Sequence, residues 1–149
     1  MKLKLYLLEK YPDDIGLPEY ATKKSAGFDV RSVEKITIKP NETKLIHLGI
    51  KSVIEEGYEV QLRSRSGLAL KKSVFLMNGI GTIDADYRDE WGAILHNGGT
   101  EDFVIEVGDR IAQAVICALP QVDIERIRGD VEREDGNDRK GGFGSSGIK

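Results

Sequence analysis

The sequence predicts an all-β fold, a jelly-roll-like barrel or sandwich with one short helix and a flexible, glycine-rich C-terminal tail. Short alternations of apolar and polar residues recur along the chain, with the period of two expected of half-buried strands. Glycines and other turn residues interrupt them at close intervals, among them Gly49, Gly57, Gly79, Gly81, Gly92, Gly98 and Gly99. Only Gly67–Lys72 has a helical pattern, and it is short. Many short strands with closely spaced turns are the mark of sandwiches, jelly rolls and barrels.

Each element follows from its own residues. Leu3-Lys4-Leu5 opens the chain with an alternation. Ile36 and Ile38 lead into the turn residues Pro40-Asn41, and Leu45–Ile50 is expected as the return strand. Tyr58, Val60 and Leu62 alternate with Glu59, Gln61 and Arg63; Phe103, Ile105 and Val107 repeat the pattern before a Gly108-Asp109 turn. The apolar stretch Ala112–Ala118 is expected as a buried strand. Beyond Pro120, Val122, Ile124 and Ile127 predict one more strand, after which Arg128–Arg139 is almost wholly charged and polar. Residues 1–128 are therefore expected to form the β domain, and 129–149 a flexible arm. Such an arm can reach a neighbouring subunit, which favours a symmetric oligomer.

Composition narrows the function classes. A chain of 149 residues, 40% hydrophobic and 32% charged, suits one globular domain. The net charge of −3 provides no overall attraction to nucleic acid or anionic membrane, so a polyanionic ligand needs a locally basic pocket. Cys117 is the single cysteine; it is expected as a small buried hydrophobe in a reducing, cytoplasmic setting. No apolar run is long enough to span a bilayer, and no signal-peptide pattern is present.

The segment Asn78–Glu90 carries the densest chemistry: Asp84, Asp86, Asp89 and Glu90 with Tyr87, Arg88 and two glycines around a short apolar strand. A carboxylate here can take a proton from water or help hold a metal; an acidic turn between strands has the same residues. In Arg63-Ser64-Arg65-Ser66-Gly67, Ser66 is a candidate helix cap, and Arg65 has the forked donors that suit phosphate. Asp29, between apolar neighbours, needs a partner, and an ion pair with an arginine such as Arg31 is the simplest. Arg110 and Gln113 are polar residues entering an apolar strand. His47 and His96 lack metal-ligand spacing, and Trp91 is expected in the core or a subunit contact. In the tail, Phe143 offers a ring for stacking, Arg139 and Lys140 offer charge, and Gly144 and Ser145 offer a close-fitting backbone and a hydroxyl.

Taken together and in order, these segments resemble the trimeric dUTPase family, the dUTP pyrophosphatases. The matching motifs are Ala26-Gly27-Phe28-Asp29-Val30, then Arg65-Ser66-Gly67-Leu68-Ala69, then Gly81–Tyr87, then Gly108–Gln113, and last Gly141–Gly147. The resemblance covers nearly the whole chain. It implies hydrolysis of dUTP to dUMP and pyrophosphate with Mg2+, in a homotrimer whose sites are shared between subunits. It implies that Asp84 orients and deprotonates the attacking water and that Tyr87 lies under the deoxyribose, leaving no room for a 2′-hydroxyl. Asn78, with Gly81 and Ile83 of the hairpin, corresponds to the group reading the uracil edge. Arg65, Ser66, Gly67 and Gln113 correspond to phosphate contacts, Arg110 to a support that pairs with acids, and Asp29 to an acid near the magnesium water shell. Phe143 corresponds to the ring stacked on uracil, Gly144 to a substrate contact beside it, and Ser145 to a phosphate contact. Two departures stand out: Asp89 occupies a usual glycine position, and Asp138 a usual arginine position, followed by Arg139 and Lys140. The competing readings are a dCTP deaminase of the same fold, and a non-catalytic nucleotide sensor or partner-binding trimer.

Overall fold

Four antiparallel sheets account for almost all regular structure in the computed structural model, which describes residues 2–131. The strands are β1 (Lys4–Leu7), β2 (Gly27–Arg31), β3 (Ile36–Ile38), β4 (Thr43–His47), β5 (Ile50–Val53) and β6 (Tyr58–Arg63). After the helix α1 (Ser66–Lys72) come β7 (Val74–Leu76), β8 (Ile80–Ile83), β9 (Gly92–Asn97), β10 (Phe103–Ile105) and β11 (Arg110–Ala118). The larger sheets run β2-β11-β6-β8 and β4-β9-β7; the pairs β1-β5 and β3-β10 complete the set. This is the expected all-β, jelly-roll-like architecture with one short helix.

All four sheets feed a single apolar core. Val30, Val60, Leu62 and Ala114 come from the four-stranded sheet, Ile46, Leu95 and Val74 from the three-stranded one, and Ile38, Ile50 and Ile105 from the pairs. Trp91 is fully buried, and its indole N–H donates to Ser52 Oγ at 3.1 Å, so the ring is a core residue with its one polar atom satisfied. Buried Asn97 uses its whole amide: Nδ2 donates to the Ile38 and Glu101 carbonyls, and Oδ1 accepts from Gly99 N–H.

The structure corrects several expectations. Ile36–Ile38 and the following strand do not form a hairpin: β3 pairs with β10, and β4 with β9. The Pro40-Asn41 turn instead carries the chain between sheets, with Asn41 in a left-handed conformation (φ 64°) and its N–H on the Asn97 carbonyl. The return strand is broken at Gly49, whose φ of +65° separates β4 from β5. Val107 lies beyond the end of β10 and is exposed. Val122, Ile124 and Ile127 form no strand, because no edge within the described residues accepts them, and all three side chains face solvent. Cys117 is half-buried rather than buried, with Arg63 Nη2 3.7 Å from its sulfur. Among the described residues, no helix is long and apolar enough to cross a membrane.

Candidate functional site

The segment richest in acids folds around a pocket. Strand β8 ends at Ile83, and the chain turns through Asp84–Glu90 before entering β9. Tyr87 N–H donates to the Asp84 carbonyl at 3.1 Å, and Arg88 Nη1 donates to the carbonyls of Ala85 and Tyr87. The Tyr87 hydroxyl donates to the Glu90 carbonyl at 3.0 Å. Asn78, Gly81, Ile83 and Tyr87 thereby line one pocket of about 290 Å³, close to the lower end of small-molecule sites. A Cβ on Gly81 would stand 3.3 Å from Leu62 Cβ and 3.6 Å from Asn78 Nδ2, so a side chain here would crowd two of the pocket's walls. Asp84 is exposed, one residue beyond buried Ile83. Asp89 is also exposed, and its backbone is not left-handed, so the turn does not require glycine there.

The pocket has further walls that the sequence did not reveal: Leu45 and His47 from β4, Thr82, Glu90, and Gly92 and Ile94 from β9. Leu45 and Ile94 are register partners on β4 and β9, which explains their meeting; their separation in sequence hid it. His47, isolated in sequence, has Nδ1 3.2 Å from Glu90 Oε2. Glu90 also pairs with Lys10 Nζ at 2.7 Å and accepts Gly49 N–H at 2.8 Å. Burial by itself would raise the Glu90 carboxyl, but the hydrogen bonds from Lys10 and Gly49 and the charges of Lys10 and His47 more than offset it and hold the group below the usual carboxylate range.

A second cluster forms on the four-stranded sheet. Asp29 Oδ1 meets Arg65 Nε at 3.0 Å, and Asp29 Oδ2 meets Arg110 Nη1 at 3.2 Å. Arg65 Nη1 donates to the Arg110 carbonyl at 2.7 Å, and Gln113 Nε2 donates to the Ser64 carbonyl at 3.0 Å. The acid therefore pairs with Arg65 and Arg110, not with Arg31, which donates instead to the Gly108 carbonyl.

A β-bulge explains how these residues meet. On β11, Gln113 lies opposite Asp29, whereas Arg110 lies opposite Arg31, two residues further along β2. In a regular strand, Arg110 and Gln113, three residues apart, would point to opposite faces. The register shift between Arg110 and Ala112 removes that alternation and brings Arg110 to the face of Gln113 and Asp29. These partly exposed ion pairs are each worth less than about 1 kcal/mol, so their consequence is placement rather than stability. Two guanidinium groups against one carboxylate leave a local positive charge, and each guanidinium has donors to spare.

Helix α1 begins beside this cluster. Ser66 is its first residue and not its cap: Arg65 takes the cap position with extended backbone, and no side chain caps the helix. The Arg65 carbonyl accepts the first helical bond, from Ala69 N–H at 3.0 Å. Ser66 and Gly67 are exposed, and a Cβ on Gly67 would meet nothing within 4 Å. The two clusters are joined by no hydrogen bond or ion pair among the described residues, and none of Asp29, Arg65, Arg110 or Gln113 lines the pocket. Arg139, Lys140, Phe143, Gly144 and Ser145 lie outside the described residues. Among the described residues, no group of His, Cys, Asp and Glu side chains is arranged to cage a metal ion.

Known proteins match both sequence and fold. The deoxyuridine 5'-triphosphate nucleotidohydrolase of Nautilia profundicola is 46% identical over 147 residues, 99% of each chain. A Staphylococcus bacteriophage 80alpha dUTPase mutant with dUpNHpp is 25% identical and superimposes with a TM-score of 0.81 over 99% of both chains. A mutant dUTPase from phage phi11 of S. aureus, whose structure reveals the coordination of a structural Mg(II) ion, is 24% identical with a TM-score of 0.77 over 87% of this chain and 98% of its own. With the dUTPase family model matching residues 13–147, nearly the full length, the chain belongs to the dUTPase family.

Proposed function

We propose that this chain hydrolyses dUTP to dUMP and pyrophosphate, limiting uracil in DNA and supplying dUMP for thymidylate synthesis. The observation that carries this reading is the pocket lined by Asn78, Gly81, Ile83 and Tyr87, with Asp84 tied through its carbonyl to Tyr87 N–H. Deoxyuridine enters the pocket. Asn78 and the Gly81–Ile83 backbone read the uracil edge, and Tyr87 lies under the sugar. Asp84 accepts a proton from water as the water oxygen bonds to the α-phosphorus. The bond from that phosphorus to the bridging oxygen breaks, and pyrophosphate leaves with the electron pair.

Arg65, Ser66, Gly67 and Gln113 receive the phosphate chain, where the spare guanidinium donors of Arg65 neutralise charge building on the leaving group. Arg139, Lys140, Phe143, Gly144 and Ser145 close over the nucleotide, with Phe143 on the base and Arg139 or Lys140 at the γ-phosphate. Among the described residues no cluster of acids cages a metal, so Mg2+ would arrive on the triphosphate with its own waters, and Asp29 would help to hold that water shell. When bound there, Mg2+ supplies charge neutralisation to the phosphates.

The separation of the two clusters supports a homotrimer in which each site combines residues of different subunits. The exposed Val122, Ile124 and Ile127 support it too, since an apolar segment with no partner edge among the described residues is suited to one on a neighbour. No nucleic acid or membrane is needed by this reaction.

Pyrophosphate release from dUTP, UTP, dTTP and dCTP, with Mg2+ and with a chelator, tests the reading. Release from dUTP alone, suppressed by the chelator, is expected; ammonia release from dCTP would instead identify a deaminase. Gly67 gives a sharper check on the phosphate side. Its open surroundings mean that Gly67→Ala should leave thermal stability unchanged or raise it by about 0.5–1 kcal/mol, because alanine favours the helix. Activity should nevertheless fall about tenfold or more, since a methyl blocks close approach of phosphate to the backbone. Full activity in the stabilised variant would remove Gly67 from the phosphate site.

A further inference from the structure

We propose that Glu90 is a positioning residue that sets discrimination against ribonucleotides, by fixing the Tyr87 ring through a clamp built from Lys10, Gly49 and His47. The inference rests on the dUTP reading of the pocket and deepens it.

The geometry forms a continuous chain of contacts. Both Glu90 carboxylate oxygens are held: Oε1 by Gly49 N–H at 2.8 Å, Oε2 by Lys10 Nζ at 2.7 Å and His47 Nδ1 at 3.2 Å. These three groups come from two stretches of chain: Lys10 lies between β1 and β2, while His47 at the end of β4 and Gly49 just after it are neighbours. The same residue's carbonyl accepts the Tyr87 hydroxyl at 3.0 Å, while Tyr87 N–H is held by the Asp84 carbonyl at 3.1 Å. Tyr87 is thus fixed at both ends, at its amide through Asp84 and at its hydroxyl through Glu90. Its side chain is 38% exposed, so the two hydrogen bonds fix what partial packing leaves free. Glu90, His47 and Tyr87 all border the pocket.

Excluding one hydroxyl by steric closeness is sensitive to small displacements of the excluding ring. A looser ring admits the 2′-hydroxyl of UTP and holds deoxyribose less firmly, while the attacking water and Asp84 are untouched. The signature is therefore a change in KM and in sugar selectivity, not in kcat. A latch that served only stability would lower the melting temperature and leave the selectivity ratio unchanged.

The experiment measures kcat and KM for dUTP and UTP with the full chain and with Glu90→Gln, Glu90→Ala and Lys10→Met. For Glu90→Ala, KM for dUTP should rise about tenfold, kcat should stay within about threefold, and the dUTP-to-UTP ratio of kcat/KM should fall about tenfold. Glu90→Gln keeps an acceptor for Gly49 N–H but loses its charge, and should fall between Glu90→Ala and the parent. Lys10 is surface-exposed, so Lys10→Met tests the clamp without disturbing the core. It should shift the ratio in the same direction by less, and add nothing to Glu90→Ala in the double variant. An unchanged ratio in these variants, whatever happens to kcat or melting temperature, would overturn the inference while leaving the dUTP reading intact. A parent protein that does not cleave dUTP would overturn both.

Discussion

Asp84→Asn is expected to lower kcat for dUTP by about a hundred- to ten-thousand-fold, with KM changed by less than about threefold. Asparagine has nearly the shape of aspartate but cannot accept a proton from water at neutral pH. The backbone contact that links this position to the pocket, Tyr87 N–H to the residue-84 carbonyl, survives the change. Nucleotide binding should persist, measurable by titration calorimetry with dUTP on the inactive protein. The exposed position makes a loss of folding the wrong explanation for lost turnover. A variant that keeps more than about a tenth of the parent kcat would move the general base elsewhere, with Asp86 the next candidate in the same turn.

Replacing Gly49 by alanine should produce the largest loss of stability among the described left-handed glycines, about 2–4 kcal/mol. Two costs coincide there. The backbone is left-handed at φ +65°, and a Cβ would stand 2.6 Å from Val33 Cγ1 and 3.2 Å from Tyr11 Cδ2, both packed against the core. Gly57 provides the control, with φ +84° but no atom within 4 Å of the added Cβ. Gly57→Ala should cost only the conformational term, about 1 kcal/mol. For a domain of this size, the Gly49 variant should melt about 10 °C below the parent and the Gly57 variant about 3 °C below. Equal shifts in thermal unfolding would show that Val33 and Tyr11 yield to the methyl and that only backbone strain matters.

The site was partly legible in the residues, and the boundary of that legibility is physical. Asn78, Gly81, Ile83 and Tyr87 are local in sequence, so a short strand and turn suffice to bring them to one pocket. Asp29 was legible as an acid needing a partner, but its partners were not. Arg65 and Arg110 reach it from distant positions, and Arg110 does so because a bulge reverses its face. The two adjacent apolar residues Ile111 and Ala112 between Arg110 and Gln113 are the only local mark of the bulge, and a fully buried strand would show the same pair. His47 and Glu90 carried even less signal. One looked isolated and the other looked like one more acid in a charged turn, until β4 and β9 were paired.

The sequence by itself determined the all-β class, the short helix, the burial of most alternating strands and the five motifs that mark the family. These depend on neighbours within a few residues, through backbone periodicity, turn geometry and side-chain chemistry. The tertiary structure alone decided strand partnership, the helix cap at Arg65 rather than Ser66, and the clamp around Glu90. It also decided that Val122, Ile124 and Ile127 find no strand to join among the described residues. Those outcomes are competitions between distant segments for the same edges and acceptors. Local preference states what a residue needs, and only the folded chain settles which group supplies it.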